Sequence, residues 1–444
     1  MATGYLPEEL RQGRAWLLSL DLVCWDFHSI VRSLNDTLTL SFNGVYHKYD
    51  QLLPHLTGDI SVVAHELTTL TIRHTEQWPE MSIMETFGNA EMKAWMRGAT
   101  RSLSTANITL NKCSLQMLEG ADIDNLETLG IEVCSLPSGQ NDDVPQVLQA
   151  LLDANPNIHT LNITTRNNDF DSPVIYKRLM KVLAVLGTGV RRLSIKDCGT
   201  MFEEINVNCD DFFNDLASSA PSLEHLTLRT KHGVDPTMSP RIESPHFYNL
   251  FEGYLKMQNT LKSLEYNEEM PVEAERLVAT ILQCPNIVDT KFVDGLPLQY
   301  LVPFSRRLDR LMVCIDLDIT EVATEVLEKV YPFLNNADRL YLIVRDLEPP
   351  IVPIINEVIR RSQNKQLWIR IVPELLDFSD AEVFDPIAPV VESNQNLSFF
   401  RFEVECSRAE KGDLAALRNV IEQHPTIINK STALTIETEY VPGW

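Results

Sequence analysis

The chain has 444 residues and a formal charge of −24, from 62 Asp and Glu against 38 Lys and Arg. Phosphate contacts need concentrated Lys and Arg, so this balance argues against a nucleic-acid groove and against an anionic membrane surface. A hydrophobic share of 44% can build a large core. No stretch reaches the ~20 apolar residues of a membrane span, and 8 cysteines without paired spacing fit a reducing compartment, cytosol or nucleus.

The opening stretch "MATGYLPEELRQGRAWLL" lacks the basic region, apolar core and small-residue cleavage site expected of a secretory signal. From Leu17 the chain reads "LLSLDLVCWDFHSIVRSLND". Leu17, Leu20, Cys24, Phe27, Val31 and Leu34 recur there at steps of three and four, one face of an α-helix. Leu18, Leu22, Trp25 and Ile30 fall off that stripe, so the helix is apolar on more than one side. It either caps the fold that follows or docks a partner. Residues 1–60 are therefore expected to form a helical N-terminal segment, and 61–444 a second region.

That second region repeats a short strand motif in which apolar and polar residues alternate. It begins with "ELTTLTIRH" (66–74), "ANITLNKCSL" (106–115), "NLETLGIEVC" (125–134) and "NIHTLNITT" (157–165). It continues through "VRRLSIKDC" (190–198), "SLEHLTLRT" (222–230), "LKSLEY" (261–266), "NIVDTKFVD" (286–294) and "RLDRLMVCID" (307–316). The last copies are "ADRLYLIV" (337–344), "KQLWIRIV" (365–372), "LSFFRFEVE" (397–405) and "TALTIET" (432–438). Amphipathic helical patterns fall between them, at 144–156, 209–221, 274–285, 322–334, 351–362 and 414–425. Pro145 sits near the start of the first, where a missing N–H costs nothing.

Strand and helix alternating with a period near thirty residues resembles an irregular leucine-rich-repeat solenoid, an α/β fold. Ile108–Leu110–Cys113, Leu129–Ile131–Cys134 and Leu193–Ile195–Cys198 match the repeat position that holds a buried Asn or Cys, which implies core cysteines and not reactive ones. A doubly wound βαβ sheet would need Gly-rich turns after its strands, and the chain has 17 glycines and none of that pattern.

Catalytic signatures are missing. No G-x-x-x-x-G-K-[ST], G-x-G-x-x-G, G-x-S-x-G, H-E-x-x-H or C-x-x-C occurs. His55, His65 and His74 are spaced by ten and nine, which fits no common metal template. Acidic runs such as "NDD" (141–143) and "NEE" (267–269) read as solvated faces. The expectation is a binding protein with no catalytic residue, no metal and no cofactor.

Two short motifs suggest what it binds. "SLDLVC" places Ser19, Leu20 and Cys24 as in an elongin-binding box, and "LLPHLTGDI" places Leu53, Pro54 and Leu56 as in the motif that selects cullin-two. Followed by leucine-rich repeats, this order is similar to the zyg-eleven/Zer type of ubiquitin-ligase substrate receptors. The resemblance implies that Leu20, Cys24, Phe27, Leu53, Pro54 and Leu56 contact elongin B/C and cullin-two, and that the repeats present a target protein. The strand motif persists to 432–438 where those receptors carry armadillo-type repeats, so their recognition of N-terminal glycine is not implied. "LPEEL" (6–10) with "DLVCWDF" (21–27) also resembles an F-box, which would change the adaptor and not the class.

In leucine-rich repeats the strands line the binding face, so exposed residues between the apolar ones are candidates for the target surface. Arg73, Lys196, Arg229, Trp368 and Arg370 occupy such places. Trp368, between Leu367 and Ile369, either anchors a partner or packs on a neighbouring repeat. The overall acidity leads to the expectation of a basic target.

Overall fold

The computed structural model describes residues 36–42, 66–74, 90–109, 125–134, 144–166, 172–187, 189–197, 209–230, 245–267, 274–292, 296–298, 301–302, 304–315, 328, 331–332, 334–345, 351–372, 385–405, 414–430 and 434–437. They belong to two compact units, Met1–Leu223 with Thr230–Pro240, and Glu224–Arg229 with Arg241–Trp444.

In the first unit the strands are β1 (Thr37–Phe42), β2 (Thr69–His74), β3 (Thr105–Thr109), β4 (Thr128–Cys134), β5 (Thr160–Arg166) and β6 (Arg192–Asp197). Each pairs in parallel with the next in sequence, so the sheet has no reversal of strand order. The register aligns one apolar rank through Leu38, Leu70, Ala106, Leu129, Leu161 and Leu193, all buried. A second rank, Ile72, Ile108, Ile131, Ile163 and Ile195, is buried as well. Helices α1 (Ala90–Ala99), α2 (Val144–Ala154), α3 (Ser172–Leu183) and α4 (Cys209–Ser219) connect the strands or follow them. α2 packs on α3 and α3 on α4, as helices do when strand order advances in one direction and they share one face of the sheet.

The second unit repeats the plan with β7 (His225–Thr230), β8 (Ser263–Asn267), β9 (Asp289–Phe292), the short β10 (Leu296–Pro297), β11 (Leu308–Ile315), β12 (Ala337–Arg345), β13 (Gln366–Val372), β14 (Phe399–Glu405) and β15 (Leu434–Glu437). Its order is β7-β8-β9-β11-β12-β13-β14-β15, with β10 pairing β11, and every pairing is parallel. Its helices are α5 (Pro245–Met257), α6 (Ala274–Gln283), α7 (Ile351–Arg361), α8 (Ala388–Ser393) and α9 (Ala415–Gln423), and α7 packs on α8 and α8 on α9. The chain is thus an α/β protein with parallel sheets that do not close within either unit. Doubly wound sheets reverse direction at a switch point that opens a crevice. Neither unit does so among its described strands.

Five repeats are fastened to the one before by a buried polar or thiol side chain just after the helix. Asn394 Nδ2 donates to Ile359 O at 2.7 Å and Ser362 O at 3.1 Å. Asn364 Nδ2 donates to Leu334 O at 3.0 Å and also to Ala337 O. In the corresponding place Cys284 Sγ reaches Leu255 O at 3.6 Å, and His424 Nε2 lies 3.1 Å from Val391 O. Asn155 Oδ1 accepts from Leu126 N at 3.4 Å. These groups occupy carbonyls left over at helix ends and, at Ala337 O and Leu126 N, groups at or before a strand start, all costly to bury alone.

Glu252 links two helices. It is only 6% exposed and bonds Arg276 Nε of α6 at 2.7 Å, with Lys256 of its own helix on its other oxygen. Burial pushes its carboxyl up, but the Lys256 hydrogen bond and the charges of Lys256 and Arg276 outweigh burial and hold it below the ordinary glutamate value.

All thirteen strand motifs read from the sequence coincide with strands. Helices at 144–156, 209–221, 274–285, 351–362 and 414–425 are present within a few residues of those bounds, whereas 322–334 lies mostly outside the described residues. The structure adds β1 inside the segment expected to be helical. "TLTLSF" alternates Thr with Leu, and its in-register partner β2 makes it part of the sheet. Helices α1, α3, α5 and α8 were not anticipated. Charged or aromatic residues on their faces, as in "AEMKAWMRGA" and "PHFYNLFEGYLKM", blur the apolar stripe.

Two outcomes are expected. Asn394→Leu leaves the carbonyls of Ile359 and Ser362 without their donor and should cost about 1–3 kcal/mol in urea unfolding. Glu252 binds its proton less tightly when folded, so its stabilising effect is complete above the unfolded pKa and fades as pH falls through the folded one. Thermal melts across the acid range should therefore fall less steeply for Glu252→Gln than for the parent chain.

Candidate functional site: the open face of the sheets

Strand side chains alternate between the helix-covered face and the opposite one. Along β13, Leu367, Ile369 and Ile371 are buried, whereas Trp368 and Arg370 are half-buried and Gln366 is exposed. Along β3 the pattern is the same, with Ala106 and Ile108 buried against half-buried Thr105 and Asn107. The half-buried positions form the open face of each unit.

In the first unit that face is mostly Thr, Ser and Asn, with Arg73, Glu132, Arg166, Arg192 and Lys196 as its charged positions. Thr37, Thr69, Thr105, Thr128 and Thr160 stand in one register rank that ends at Arg192. The next rank is Thr39, Thr71, Asn107, Gly130, Asn162 and Ser194. Gly130 has a packing reason, since a Cβ there would come within 2.1 Å of Asn107 Oδ1.

In the second unit the equivalent rank is Thr227, Glu265, Lys291, then Met312, Tyr341, Trp368 and Arg401. Tyr341 and Trp368 meet with ring centroids 4.9 Å apart and planes tilted by 47°. Arg401 lies over the Trp368 ring at 4.4 Å, and Arg310 stands 6.0 Å from the Tyr341 centroid. Both guanidinium groups are themselves fixed. Arg310 Nε and Nη2 donate to the two carboxylate oxygens of Asp289 at 2.6 and 2.9 Å, a bidentate pair. Arg401 is paired with Glu403, which is buried on the same strand. Acid, arginine, tyrosine, tryptophan, arginine and acid thus form a continuous series across five neighbouring strands. The Trp368 Nε1 atom is enclosed without an acceptor among the described residues.

The sequence candidates fare differently. Leu20, Cys24, Phe27, Leu53, Pro54 and Leu56 lie outside the described residues. Arg73 lies in β2 opposite Ser41, and Lys196 is exposed on β6 opposite Thr164. Arg229 on β7 is bonded to Glu265 of β8, which also takes Lys291 at 3.1 Å. Trp368 and Arg370 share β13, and Trp368 does pack on the neighbouring strands through Tyr341 and Arg401. It is therefore held in place by its neighbours while keeping part of its surface open. Arg310, Tyr341 and Arg401 are not among the sequence candidates. Aligning "DRLMV", "DRLYL", "KQLWI" and "SFFRF" on their shared strand position would have found the Met, Tyr, Trp and Arg rank.

No protein-family model matches this chain, and no curated protein matches it. Among the described residues no group of three or more His, Cys, Asp and Glu is placed to hold a metal ion. No described helix is long and apolar enough to cross a membrane. Cys284 and Cys314 are buried and unbridged; Cys113 and Cys198, expected in the core, lie outside the described residues.

Arg401→Ala should cost about 1–3 kcal/mol in chemical unfolding, since it strips Glu403 of a cation and Trp368 of its cover. Arg401→Ala combined with Glu403→Gln should recover part of that loss, because the buried charge is then gone.

Proposed function

We propose that this chain is a non-catalytic leucine-rich-repeat protein that holds another protein on its open sheet face, as the substrate-recognition subunit of a cullin ubiquitin ligase. The supporting observation is the face itself: a rank of rigid aromatic and arginine side chains on a regular parallel scaffold. Such residues dominate binding energy at protein interfaces, because they bury much area for little lost freedom. Strands that advance without reversal lay out an extended surface in place of a crevice for a small substrate. The receptor role rests on the likeness of Ser19, Leu20 and Cys24 to an elongin-binding box and of Leu53, Pro54 and Leu56 to a cullin-selecting motif.

Purified elongin B/C should be retained by the immobilised chain, and Leu20→Ser with Cys24→Phe should abolish retention while the thermal melt stays unchanged. A double variant that unfolds would identify the N-terminal helix as a cap of the repeats and leave a ligase-independent scaffold. Wild-type protein that retains no elongin would end the receptor reading.

A further inference from the structure

The open face of the second unit carries charge of the opposite sign to the whole chain. Arg229, Lys291, Arg310, Arg339, Arg345, Arg370 and Arg401 stand on its ranks, against Glu265, Asp289, Glu403, Glu405 and Glu437. The first unit's face also holds cations, Arg73, Arg166, Arg192 and Lys196 against Glu132, but sets them among Thr, Ser and Asn. An acidic chain of net charge −24 thus gathers cations here around two aromatic rings.

We propose that this face binds an acidic, extended segment of a partner protein; the inference rests on the protein-binding reading above and names the chemistry of the partner. Arg310 and Arg401 are held by Asp289 and Glu403, so little side-chain freedom is lost when a ligand arrives. A guanidinium has five N–H donors, and Asp289 takes two from Arg310, which leaves others for an incoming carboxylate. The two arginines stand three strand spacings apart and two residues apart along the strands, roughly 16 Å in all. Four residues of extended chain span roughly 13 Å, and the side chains at both ends make up the rest. Carboxylates at positions i and i+4 therefore reach both cations, and an apolar residue at i+2 falls over Tyr341 and Trp368. Overall acidity pointed to a basic target; the local charge of this face reverses that expectation.

A single-stranded nucleic acid would also seek cations and rings, but it needs open ring faces for its bases to stack on. Here Trp368 is covered by Arg401 on one side and meets Tyr341 on another. The negative field of the remaining protein also repels a polyanion far more than a short segment.

The test uses the full chain and fluorescence anisotropy with three probes: a labelled peptide containing Glu-Ala-Leu-Ala-Glu, its Lys-Ala-Leu-Ala-Lys counterpart, and oligo(dT). The acidic peptide should bind tightest and weaken as salt rises. Lys291→Ala with Arg339→Ala should lower its affinity about tenfold and flatten the salt dependence. Arg192→Ala with Lys196→Ala, on the other unit, should change nothing. Thermal melts of every variant confirm folding, and the Gln pair replaces the Ala pair if the latter unfolds. Preference for the basic peptide or for oligo(dT), or equal loss from the control pair, overturns the proposal. A protein target whose cross-linking is lost in Trp368→Ala, with no acidic-peptide binding, would remove the acidic assignment alone. If neither face affects any protein binding, the parent reading falls with it.

Discussion

Everything in either unit depends on the parallel pairing of each strand with its immediate successor. That pairing satisfies the backbone of a segment too short to be stable alone, and it holds register strictly, because a one-residue slip would turn Leu and Ile outward. Once register is fixed, side chains at the same motif position are forced into ranks about 4.8 Å apart. The apolar ranks meet the helices. The ranks on the other face become a surface whose composition the sequence can write one strand at a time.

The two units write it differently. One presents mainly threonines and asparagines, with Asn107 bonded to Thr71 and Thr109 to Glu132. The other presents arginines that are pinned by acids and lie near rings. These pairs are partly or largely buried, and desolvation offsets much of the attraction in such a pair, although removing one partner is costly. The pairs of Arg310 and Arg401 are therefore better understood as devices of position. They hold long side chains still beside Tyr341 and Trp368.

The strands were legible because a two-residue period needs only a few residues to declare itself, and the Leu-x-Leu core of each copy is intact. Trp368 was visible as an aromatic between two core residues. Its setting was not visible, since Tyr341 and Arg401 lie on strands about thirty residues away and become neighbours only through register. β1 was hidden for a related reason. "TLTLSF" follows a long apolar helical pattern, and only its match to "TLTIRH" across the ladder identifies it. The fastening residues were partly legible. Cys was expected in the core, yet the shared role of Asn155, Asn364, Asn394, Cys284 and His424 depends on carbonyls contributed by the previous repeat.

Fastening repeats to their predecessors also shapes how the molecule comes apart. In a globular core every element touches many others, and loss of one is felt throughout. Here coupling runs between sequence neighbours, so cooperativity within a unit is a chain of local links. Weakening one link, such as that between α7 and α8, lowers the threshold for releasing whatever lies beyond it and leaves the preceding repeats folded. Proteolysis or mechanical pull on such a unit is then expected to remove whole repeats from an end, and the surviving surface keeps its ranks intact up to the break.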